Sequence, residues 1–181
     1  MKAIEPSEIL TSDDYGRAKK APPDPWARFL ARIFDYSLFF LALLGLRHFF
    51  DLPISKGIFN SFVPFELVFW IPIETLLLLS WGKTFGKWFL NIDLRLTHAR
   101  RFTWRAALRR SLSVWFRGLG MGIPVISILC LLVAYQRLKM VQTTSWDKED
   151  HIQVIQHPLP KWRLIAAGLF SIIAFFFYWN F

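Results

Sequence analysis

The chain has 181 residues, 54% of them hydrophobic and 18% aromatic, yet 19% are charged and the formal net charge is +9. That composition is too apolar for an ordinary soluble domain, and the remaining charge is segregated beside apolar runs, as in an integral membrane protein with basic loops. The basic residues form no single solvated patch, which argues against nucleic acid and for a bilayer with anionic headgroups at those loops.

Residues 1–24 are polar, with five acids against four bases and with Pro22 and Pro23 near their end. They contain no apolar signal-like stretch and read as a disordered cytoplasmic tail. The first helix starts at "DPWARFLARIFDYS", with Asp24 as N-cap and Pro25 at the first helical position. Only fourteen residues separate Arg32 from Arg47, about 21 Å of helix against a hydrocarbon core of roughly 30 Å. The helix is therefore expected to run past both arginines, which snorkel, leaving Asp35 just inside the cytoplasmic edge.

The second predicted span is Ser61 to Trp81, twenty-one residues or about 32 Å. It carries Glu66 and Glu74, each two positions after a proline (Pro64, Pro72), and a kink is expected near Pro72. Residues 82–111 follow with eight Lys/Arg and one acid. Within them "KWFLNIDLRL" alternates like a short strand and "TWRAALRRSL" reads as a basic amphipathic helix. From 108 to 140 two readings compete. Gly118 to Tyr135 is long enough to cross once, whereas Gly118, Gly120, Gly122 and Pro124 favour a helical hairpin turning there. Ile152 to Ile155 is strand-like, and an apolar run from Leu164 to Phe181, preceded by Lys161 and Arg163 and ending in an aromatic belt, closes the chain.

Lys and Arg are sparse only in the 47–61 loop, which holds two of the twenty-two. The positive-inside rule then places that loop alone outside and favours the hairpin, which returns the chain to the side it came from. The expected fold class is an all-α membrane protein: two firm transmembrane helices, a basic helical hairpin or third span, and a C-terminal transmembrane helix. Its parts are the tail 1–24, a membrane domain 25–160 and the terminal helix 161–181.

Four segments together resemble the RDD family of small bacterial membrane proteins, named for one arginine and two aspartates. They are "RFLARIFD" (28–35), "GKTFGKWFLNIDLR" (82–95), "RAALRRSL" (105–112) and "SWDKEDHIQVI" (145–155). The resemblance covers roughly 26–155. It matches Arg28 and Asp35 to the arginine and the first aspartate, and Gly82, Thr84, Gly86 and Lys87 to the family's glycine-lysine turn. Asp147 is the candidate for the second aspartate, with Asp150 as rival, and the small residues usual after that aspartate are absent here. The resemblance implies a bacterial inner-membrane location and an activity in transport, with cation/proton exchange the usual suggestion.

Spacing alone puts Arg28, Arg32 and Asp35 on one helix face, so an arginine is expected to neutralise Asp35 or to border a cation pathway that uses it. Glu66 and Glu74, an 80° offset apart, can line one side of a helix. Glu74 is the stronger transport-site candidate because a desolvated carboxylate is poised to exchange a proton. Glu66, near the outer end, also suits the interface. The Gly82–Thr84 trio is no phosphate loop, because Leu77 stands where its first glycine belongs. Gly82 and Gly86 are expected to turn the chain with positive φ, Lys83 and Lys87 to face headgroups, and Thr84 to cap the next element. Four scattered histidines and a lone apolar Cys130 offer no metal, cofactor or hydrolase constellation. An enzyme is not expected, whereas a homo-oligomer is, because few spans enclose little volume. The alternative to a transporter is an accessory or assembly subunit whose charges lock helices and whose basic loops bind lipid or a partner.

Overall fold

The structure is a computed structural model that describes residues 24–50, 56–96, 102–141, 143–149 and 152–180, with the backbone course alone for 56–67, 122, 124, 127, 128 and 179. Helix α1 spans Pro25–Phe49. The Asp24 side chain caps it, accepting the Trp26 N–H at 2.9 Å, and proline occupies the first turn. Helix α2, Lys56–Ser80, runs on through Pro64 and Pro72 as one continuous helix. A one-turn helix α3 (Phe85–Phe89) leads into strand β1 (Ile92–Leu96).

Helix α4 (Trp104–Leu119) is amphipathic, as expected. Ala107, Arg110, Ser111, Val114 and Gly118 are buried at spacings of three and four residues, which is one helix face. Thr103 caps its start through the Ala106 N–H, and Gly120, in the left-handed conformation, ends it. A 3-10 turn at Gly120–Gly122 then opens helix α5, Pro124–Val141, which packs back on α4. Between 108 and 140 the chain therefore forms two helices joined by a turn rather than one continuous helix. Helix α6 (Ser145–Glu149), strand β2 (Ile152–Gln156) and helix α7 (Lys161–Asn180) complete the order.

The two strands pair antiparallel, Ile92 opposite Gln156 through Leu96 opposite Ile152. The expectation of an all-α fold is corrected to a mostly helical fold with a two-stranded sheet. The reason is visible in the residues: Ile92 and Ile152 are buried, and Leu94 sits across from Val154. On the other face Asp93 accepts from Lys83 Nζ at 2.9 Å and lies 3.0 Å from His157 Nε2.

By length and composition, α1 and Lys161–Tyr178 of α7 are apolar enough to cross a membrane, and Val68–Ser80 of α2 is a shorter apolar stretch. Helix α1 packs along α7, with Phe34 against Phe170 and Phe40 against Phe175 and Tyr178, and Ala27, Ala31 and Ala167 are buried in one cluster with Leu90 and Ile92. Tyr36, Phe39, Phe40 and Trp70 form a second cluster toward α2, and Leu78, Phe102, Ala107 and Ile152 a third beneath α4. All three clusters surround the same polar centre.

Candidate functional site: a buried charge network

Among the described residues, seven charged side chains from five helices come together between the apolar clusters. Glu74, on α2 and 2% exposed, receives three cations on one oxygen: Lys87 Nζ at 3.2 Å, Arg110 Nη1 at 3.3 Å and Arg32 Nη2 at 3.5 Å. Asp147, on α6 and equally buried, accepts from Arg28 Nη2, from Arg110 Nη2 at 3.2 Å and from the Thr144 hydroxyl at 2.7 Å. Arg110 thus bridges the two carboxylates. Asp35 stands apart, accepting the Thr84 hydroxyl at 2.6 Å and the Gly86 N–H at 2.7 Å.

Each position follows from local structure. Arg28 and Arg32 are four residues apart on α1 and project together toward α2, α4 and α6. Asp35 continues the buried stripe of Ala27 and Ala31, which faces α3. The chain can reach Asp35 because Gly82, at φ +72°, turns it out of α2 and because Gly86 lies directly on α1. A Cβ on Gly86 would stand 2.0 Å from the Ala31 carbonyl oxygen. Closeness, not positive φ, is what Gly86 supplies; of the two turn glycines only Gly82 has the left-handed φ.

Several expectations are corrected by this geometry. Arg28 and Arg32 reach other acids rather than Asp35, whose two oxygens accept from a hydroxyl and an amide. Glu74 is no isolated desolvated carboxylate, since three cations surround it. Lys87 is buried on Glu74 and so turned away from headgroups, while Lys83, a third exposed, pairs with Asp93. Thr84 occupies the N-cap position of α3 but gives its hydroxyl to Asp35 instead of capping. Of the rival aspartates, Asp147 is in the network, while Asp150 lies outside the described residues. The Glu66 side chain lies outside them too.

Outside the helices long enough to span, two charges are displaced from their usual range. Burial pushes the Lys87 ammonium down to about 8, helped by Arg110 and Arg32 and opposed by Glu74. Burial alone would raise the Asp147 carboxyl, but Arg110 and Arg28 outweigh it and hold the group below its ordinary value.

The RDD family model matches residues 22–181. The chain belongs to the RDD family. The match runs beyond the four motif segments and takes in α7. No curated protein and no solved structure matches the chain. Family membership and the apolar helices together make this a membrane protein. Arg28 and Asp147 pair directly, while Asp35 anchors the glycine-lysine turn.

Arg110 and Thr144 are members that the sequence reading did not single out. Arg110 looked like one more base in a basic amphipathic helix. Its signal is positional, for it lies three residues after Ala107 and four before Val114, on the apolar face of α4.

Proposed function

We propose that this RDD protein is a non-enzymatic, multi-pass subunit of the bacterial inner membrane with its N-terminus cytoplasmic, and that its buried charges serve to lock helices together. The observation that carries this reading is saturation: Glu74 and Asp147 each hold at least two cations, and Asp35 has a donor on both oxygens. A cation arriving at Glu74 would have to displace Lys87 while two guanidinium groups remain beside it. Breaking a buried pair by removing one partner typically costs about 3–5 kcal/mol, because the other charge is left uncompensated.

Cation/proton exchange is the second reading, and one observation favours it. Lys87, lowered to about 8, can release a proton near neutral pH when a cation takes its place on Glu74. The two readings separate on one preparation. Wild-type protein and Glu74→Gln are reconstituted in proteoliposomes for cation-driven proton flux and melted in detergent. The lock reading expects no flux from wild type and a markedly lower melting temperature for the variant. Wild-type flux that vanishes in an equally stable variant would establish exchange instead.

A further inference from the structure

A cavity of about 480 Å³ opens between α1, α4 and α5 and is floored by the two strands. We infer that it binds an amphiphilic anion, a phosphate or carboxylate head on an alkyl chain, drawn from the bilayer. This inference rests on the membrane reading but not on whether the charge network locks or transports.

The polar end of the cavity has one sign. Arg28, Arg32, Lys87 and Arg110 all line it, and none of the three network carboxylates does. Among the described residues those four cations meet three acids, one of which, Asp35, is hydrogen-bonded by none of them. Arg28, Arg32 and Lys87 line the cavity with 15%, 19% and 10% of their side-chain surface still accessible. Arg110 is about 1% exposed, and an anion at the cavity end offsets the excess positive charge of the group.

The rest of the wall is apolar: Phe29, Val114, Leu131, Tyr135, Leu138 and Val154. A bare inorganic anion would leave that surface unused, whereas an alkyl chain covers it at roughly 25 cal/mol per Å² of apolar area buried. Leu132 belongs to the same wall and is 54% exposed, and Leu129 and Val133 beside it on α5 are exposed as well. The wall therefore continues into an outward apolar face of α5, an entry route for a chain lying in the bilayer.

The test uses the full chain purified in dodecyl maltoside, with three probes: dodecyl phosphate, inorganic phosphate and lysophosphatidylcholine. Binding is followed by native mass spectrometry and by the melting temperature. Dodecyl phosphate should bind saturably and raise the melting temperature; inorganic phosphate lacks the tail and lysophosphatidylcholine lacks the net charge, and neither should do so at equal concentration. Ala134→Phe, which fills the cavity from α5 without touching a charge, should weaken dodecyl phosphate about tenfold. Leu132→Trp, at the exposed mouth, serves the same purpose should Ala134→Phe fail to fold. Equal binding of inorganic phosphate would mean a free-anion site. Equal binding of lysophosphatidylcholine would mean a generic detergent-like surface, and dodecyl phosphate binding unchanged in the folded variant would place it elsewhere. Each of these results, or no binding of dodecyl phosphate at all, overturns the inference.

Discussion

At the residue scale, Asp147 shows how the network depends on ionisation. Its carboxyl is held below the ordinary value of 3.8, with burial working against Arg110 and Arg28 and losing. A group whose folded value is lowered contributes stability that is present above its unfolded value and is lost as pH falls through the folded one. Asp147→Asn should therefore melt below wild type at neutral pH, with the gap shrinking once pH drops under 3.8. Thermal melts across acid pH measure this, and a gap independent of pH would show that the ionised form of Asp147 contributes nothing. The sequence put Asp147 forward with Asp150 as rival, and held no sign of its partners. Arg28 stands 119 residues away, and no local pattern selects that arginine over the many others. Asp35 misled for the complementary reason. Helix spacing correctly put it near Arg28 and Arg32, but long side chains choose partners across the bundle, and both arginines found acids on other helices.

At the scale of elements, the glycine-lysine turn is the joint between α2 and the rest of the molecule. Gly86 permits α3 to touch α1, and through that contact its N–H reaches Asp35. A methyl group there meets backbone, which cannot rotate away, so Gly86→Ala should destabilise the protein by about 3 kcal/mol or more, at the upper end for overpacking. Gly82→Ala, strained only by its positive φ with open space around it, should cost nearer ~1 kcal/mol. Chemical denaturation of the two variants in the same detergent checks the order; equal losses would remove the close approach as the reason for Gly86. Local elements were largely readable in advance. The Asp24 cap, the amphipathic α4, the glycine-rich hairpin and both strands each follow from a few consecutive residues. The pairing of β1 with β2 was not, because those strands lie far apart in the chain and either could have remained an isolated extended segment.

At the scale of the whole molecule, the network ties α1, α2, α3, α4 and α6 around one centre, while α7 is held to α1 by apolar contacts such as Phe34 on Phe170 and Phe40 on Phe175. Burying so many charges is unfavourable in itself, so the arrangement is sensible only where each ion pair stays intact. Neutralising Glu74 should accordingly damage assembly before it damages any transport, which is the reverse of the order expected for a free exchange site. The most direct measurement is a double-mutant cycle on the pair that joins α1 to α6: Arg28→Gln, Asp147→Asn and both together, each melted in the same detergent. The helix-lock reading predicts that each single variant is clearly destabilised and that the double variant loses less than the two added, a coupling of about 1–3 kcal/mol. Additive losses, or single variants as stable as wild type, would contradict it.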